Sequence, residues 1–131
     1  MQMRYGTIYE LYSALLRMQD VSGFKIAWAV AKNIKILQTA AEFFEDRRMR
    51  LLKKYGQEKD GKLVINQKDP HFEDFLREFT ELSDMQTDVD LYKVKDDIKE
   101  DDIRSETARA RDYLLFMDWI VEEKNGEGSE G

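Results

Sequence analysis

No cysteine occurs in the chain, which excludes disulfides, thiolate metal sites and cysteine nucleophiles and fits a reducing cytosol. The one histidine, His71, would have to serve any Ser-His-Asp triad or imidazole metal site alone. One proline, Pro70, and seven glycines are too few turn signals for an all-β sandwich or barrel. Long apolar runs are missing as well. The richest, residues 113–121, spans nine positions and contains Asp118, whereas a membrane helix needs about 20 apolar residues. The start, Met1-Gln2-Met3-Arg4-Tyr5-Gly6, lacks the apolar stretch of a signal peptide. The chain is therefore expected to be cytoplasmic.

What remains is a charge-rich globular composition, 42% hydrophobic and 37% charged, in 131 residues, enough for one core and short for two. We expect a single helical domain over residues 1–123 and a flexible tail over 124–131, where glycine and glutamate predominate. The net charge of −6 conceals an asymmetry: residues 1–55 carry +5 and residues 56–131 carry −11. Two halves folding with complementary surfaces would explain it, as would an acidic face for a basic partner or one that imitates nucleic acid.

Helical periodicity dominates the chain. Thr7 and Glu10 have capping-box spacing, followed by a stripe of Ile8, Leu11, Tyr12, Leu15 and Leu16, so a first helix is expected over about residues 8–18. The clearest pattern follows over residues 24–55. Ala27, Val30, Ile34, Leu37, Ala41, Phe44, Arg48, Leu51 and Tyr55 alternate spacings of three and four, the seam of a coiled coil or helical hairpin. Ile26, Ala29, Ile36, Ala40 and Phe43 broaden its first half, while its second half is narrow-striped and charged. Gly56 follows as a stop.

Asp60-Gly61 marks a turn, and residues 62–66 read as a strand. Asp69-Pro70 resembles the N-cap and first position of a third helix reaching about Asp84, with Phe72, Phe75, Leu76, Phe79 and Leu82 on one side. Residues 88–94 alternate and are expected to pair with 62–66. Residues 96–102 hold five acids in seven positions and read as a solvated connection. Ser105 is the expected cap of a last helix to about Glu123, its face Ala110, Tyr113, Leu114, Met117, Ile120 and Val121. The expected fold is mainly α: a long amphipathic helix packed with three shorter helices, plus a small two-stranded β element.

Chemistry-bearing patterns are sparse. Residues 56–67 imitate a calcium loop only at Asp60-Gly61, since the ends, Gly56 and Gln67, are not carboxylates. Glu42 and Asp46 lie one turn apart, but no Glu-x-x-His partner accompanies them. His71 lies beside Asp69 and Asp74 with no second imidazole. No phosphate-binding glycine loop or nucleophile elbow occurs. We expect no enzyme activity, no metal and no cofactor.

Candidate interaction residues remain. Arg47, Arg48, Arg50, Lys53 and Lys54 place five cations in eight positions. Complementing the helix dipole and pairing with acids explain much of this; a protein or nucleic-acid partner is the alternative. Phe116, Trp119 and Trp28 are core or hot-spot residues of an interface. Asp96, Asp97, Asp101 and Asp102 are the candidate acidic face.

Arg47…Leu51-Leu52-Lys53-Lys54-Tyr55-Gly56, then Phe75…Glu78…Leu82 and Asp88-Val89-Asp90-Leu91, resemble a set of small uncharacterised tailed-phage and prophage proteins in which a long helix ends in Arg…Leu…Lys-Tyr-Gly. The resemblance covers roughly residues 24–95 and implies a viral accessory protein of the host cytoplasm, without an activity to carry over. The leading expectation is a non-catalytic protein acting by helix-mediated contact with itself or a protein partner, as an assembly or structural helper, without membrane or small-molecule substrate. The alternatives are an acidic inhibitor of a host nucleic-acid-binding or defence enzyme, and nucleic-acid binding through the basic helix end.

Overall fold

A computed structural model describes residues 1–122; the expected tail, 124–131, lies outside the described residues. The chain is mainly helical, with a long helix packed with shorter ones and small two-stranded sheets. The elements are β1 (Gln2–Arg4), α1 (Tyr5–Arg17), α2 (Phe24–Tyr55), β2 (Gln57–Lys59), β3 (Lys62–Val64), α3 (Phe72–Asp84), β4 (Gln86–Asp88), β5 (Val94–Lys95), a 3₁₀ turn (Glu100–Ile103), α4 (Ala110–Trp119) and β6 (Val121–Glu122). The described residues form two compact units. The first comprises Met1, residues 10–38 and the chain from Val89; the second comprises residues 2–9 and 39–88.

In the first unit, α2 buries Ile26, Ala29, Val30, Asn33 and Leu37. The seam thus holds at Val30 and Leu37, but Asn33 takes the place expected of Ile34, which is only half-buried. Leu11, Ala14 and Leu15 of α1 and Met18 just after it are also buried, whereas Leu16 is exposed. α4 is shorter than expected and buries Asp112 and Phe116, with Ile120 buried at its C-cap; of the expected face Ile120 and Val121 are buried, whereas Leu114 and Met117 are exposed. The reason is electrostatic. The carboxylate of Asp112 accepts two bonds from Arg17, both 2.8 Å, and one from its own helix start, Arg109 N–H at 3.0 Å, so a charged residue enters the buried row and leaves Leu114 and Met117 outside.

Ser105 does not cap α4. Its hydroxyl accepts from the N–H groups of Thr107 and Ala108 and donates to Asp20, closing a turn five residues before the helix. Val94 and Lys95 pair in parallel with Val121 and Glu122. Residues 88–94 therefore do not pair with the 62–66 region.

The second unit has an aromatic spine. Tyr9 lies 5.1 Å from Phe44, Phe44 lies 5.9 Å from Phe79, and Phe79 stacks on Phe75 at 5.9 Å and 13°. Met3, Ile8, Ala41 and Leu82 are buried in the same unit. α1 starts earlier than expected, leaving Thr7 inside the helix. β1 pairs antiparallel with β4, and the next amide, Tyr5 N–H, donates to Met85 C=O at 2.8 Å. A main-chain carbonyl thus satisfies a helix-start donor that the capping box was expected to serve.

β3 pairs with β2 across Asp60-Gly61, with Lys59 opposite Lys62. Asp60 has φ 54° and Gly61 φ 78°, the signs a type I′ turn requires. The partner strand Gln57-Glu58-Lys59 carries no apolar residue and is fully exposed, so no alternation announced it. α3 ends at Asp84 as expected but starts at Phe72, with His71 at its N-cap; Asp69 and Pro70 lie before the helix, in a turn where the Asp69 carboxylate accepts from His71 N–H at 2.8 Å.

Candidate interaction site

The basic stretch of α2 and the first part of α3 meet through large side chains. Lys54 lies 3.3 Å from the Glu78 carboxylate, to which the Tyr55 hydroxyl also donates. That hydroxyl, and then Lys54, hold the Glu78 carboxyl below the usual carboxylate range; the Tyr55 hydroxyl and Glu78 raise Lys54. About two turns earlier, Arg48 makes two bonds to Glu45, 2.8 and 2.9 Å. This pairing explains how an arginine occupies the apolar seam: its charge is neutralised within its own helix. Burial, followed by Glu45, raises the Tyr9 hydroxyl pKa.

Between α2 and α3 lies an open cleft of about 360 Å³, lined by Arg47, Arg50 and Leu51 on one side and Glu78, Glu81, Leu82 and Met85 on the other. Leu51, Leu82 and Met85 supply its apolar floor, and Met85 is 50% exposed. Arg50 pairs with Asp46 at 3.0 Å. Arg47 lies over the Phe43 ring at 5.2 Å. Among the described residues neither Arg47 nor Glu81 forms an ion pair, and Lys53 forms none either. The cleft therefore joins an apolar floor to walls of opposite charge.

Of the other candidate residues, Phe116 is 1% exposed and belongs to the core of the first unit, so it offers no contact surface. Trp119 is half-buried. Trp28 is half-exposed, with the Lys32 ammonium 5.6 Å from its ring and 5.5 Å from that of Tyr92. On α4, Leu114 is 64% and Met117 40% exposed.

The acidic stretch is tied down by its backbone. Gly23 N–H donates to Asp102 C=O at 2.8 Å, Ser22 N–H to Arg104 C=O at 3.2 Å, and the Ser22 hydroxyl to Asp101 C=O. Asp97 faces Lys25 at 3.4 Å, Asp101 pairs with Arg104, and the Asp102 carboxylate accepts from Lys99 N–H. Asp96 is exposed. These residues are a docked segment of the first unit rather than a free connection.

His71 is exposed, 3.9 Å from Asp74. Among the described residues no group of three or more His, Cys, Asp or Glu is arranged to hold a metal ion, and no helix is long and apolar enough to cross a membrane.

Sequence reading missed three polar anchors: Asn33, the Arg17–Asp112 pair, and Asp20, which accepts from Ser105, Glu106 N–H and Thr107. Asn33 had a signal, a lone polar residue between Val30 and Leu37. The others had none, since their partners lie 85 or more residues away. No protein-family model matches the sequence, and neither a curated protein nor a solved structure matches it.

Proposed function

We propose that the protein is non-catalytic and acts by helix-mediated protein–protein contact through the cleft between α2 and α3. The observation that carries this reading is the pairing of an apolar floor, Leu51, Leu82 and Met85, with an arginine wall and a glutamate wall. A partner helix can bury apolar side chains on such a floor while the walls set its direction. The phage setting, and with it an accessory role in the host cytoplasm, rests on the helix-end resemblance alone.

Nucleic-acid binding has less support, because Arg48, Arg50 and Lys54 are each paired with a carboxylate. The acidic-inhibitor reading also has less support, since Asp97 and Asp101 already face cations.

Light scattering combined with affinity capture from a bacterial host lysate tests the proposal. The chain is expected to self-associate or to retain a protein, and Met85→Glu is expected to reduce that association without changing the melting temperature. A strict monomer that retains nothing overturns the reading.

A further inference from the structure

We infer that the occupant of the cleft is α4 of a second copy of this chain; the inference rests on the interaction reading above. α4 turns an unpartnered stripe outward, opposite its buried row of Asp112, Phe116 and Ile120. Leu114 and Met117 form the centre of that stripe, with Arg111 toward its N-terminal end and Asp118 toward its C-terminal end. Among the described residues Asp118 forms no ion pair, and Arg111 meets only the exposed Glu10. The stripe is therefore apolar in the middle, positive at its start and negative at its end.

The cleft is the counterpart of that pattern. Its floor is Leu51, Leu82 and Met85; its α3 wall carries Glu81 beside the Lys54-paired Glu78, and its α2 wall carries Arg47 beside the Asp46-paired Arg50, so Glu81 and Arg47 supply the charge the cleft leaves open. A helix laid across α2 and α3 sets Arg111 over the glutamates and Asp118 over the arginines. The spacing agrees: seven residues of helix rise about 10 Å, and packed helix axes lie about 10 Å apart. The helix dipole adds the same preference, with its positive start over the glutamates and its negative end over the arginines. The two surfaces differ, so the contact is heterologous, and copies add head to tail into a ring or a filament.

The test uses the full chain and two variants at exposed positions, Met85→Glu in the cleft and Leu114→Glu on α4, with thermal melting to verify the fold. In sedimentation velocity over a concentration series, the unaltered chain is expected to associate reversibly. Each variant should raise the dissociation constant ~10-fold or more, as central apolar anchors of interfaces do. An equimolar mixture of the two is expected to form a heterodimer that grows no further, because each retains the surface the other lacks. Charge exchange gives a second readout: Arg47→Glu or Asp118→Arg alone weakens association, and the double variant regains part of it.

Association that survives both single variants overturns the inference, as does a mixture that fails to recombine. So does a chain that stays monomeric throughout. If that monomer still captures a host protein through the cleft, only the choice of occupant falls; if it captures nothing, the interaction reading falls with it.

Discussion

The side-chain amide of Asn33 pairs with the main chain of Tyr92 as one β-strand pairs with another: Asn33 Nδ2 donates to Tyr92 C=O and Tyr92 N–H donates to Asn33 Oδ1, both at 2.8 Å. The same Nδ2 donates to Ala29 C=O at 2.8 Å, and the residue is fully buried. One side chain on α2 thus satisfies both main-chain groups of a residue 59 positions away. Replacing it with leucine keeps the branched shape but removes the amide and orphans those groups. We expect Asn33→Leu to cost about 2–4 kcal/mol, read from urea unfolding; a loss below the error of the extrapolation would show that water replaces the amide.

The Arg17–Asp112 pair predicts an asymmetric response. The Asp112 side chain is fully buried, while Arg17 remains 35% exposed. Arg17→Met strands a buried carboxylate and should cost about 3–5 kcal/mol, whereas Asp112→Ala leaves an arginine able to turn toward water and should cost less. Equal losses in the two variants would contradict this account.

Acid sensitivity should come from depressed carboxylates. The Ser105 hydroxyl, then Glu106 N–H, draw Asp20 from 3.8 to about 2. Arg17, Glu78's Tyr55 hydroxyl and Arg48 lower Asp112, Glu78 and Glu45 respectively. Unfolded carboxyls bind protons first, so this stabilisation is complete above their ordinary values and is lost as pH falls from about 4 toward 2. Asp20→Asn should flatten the slope of unfolding free energy against pH in that interval; an unchanged slope would remove Asp20 from the account.

Gly23 lies against the acidic segment: a Cβ there would stand 2.7–2.9 Å from Asp102 Cβ, Cα and O. We expect Gly23→Ala to cost about 1–3 kcal/mol through displaced backbone. At Gly61, where φ is +78° and surrounding space is open, alanine should cost about 1 kcal/mol from conformation alone. Thermal melts of both variants compare the two effects, and a smaller loss at Gly23 would mean the acidic segment shifts freely.

Local patterns were readable wherever burial follows chemistry. The long α2 showed itself through three-and-four spacing, α3 through its phenylalanines, and the β2–β3 turn through Asp60-Gly61. Apolar side chains select one face, and these turn residues tolerate the angles a turn demands. The basic wall of the cleft was readable too, as Arg47 and Arg50 within a cation cluster.

Tertiary structure decided what apolarity does not encode. Which row of α4 faces inward depends on Asp112 finding Arg17; α1 begins at Tyr5 because Met85 offers a carbonyl; and Asn33 occupies the seam because Tyr92 brings it a peptide group. The cleft likewise exists only once Glu78, Glu81 and Met85 stand opposite Arg47 and Arg50. By itself the sequence determined the helices and their apolar faces, which follow from contacts three and four residues apart. The partners of buried polar groups, and hence the surfaces left outside, were settled by pairings across many tens of residues.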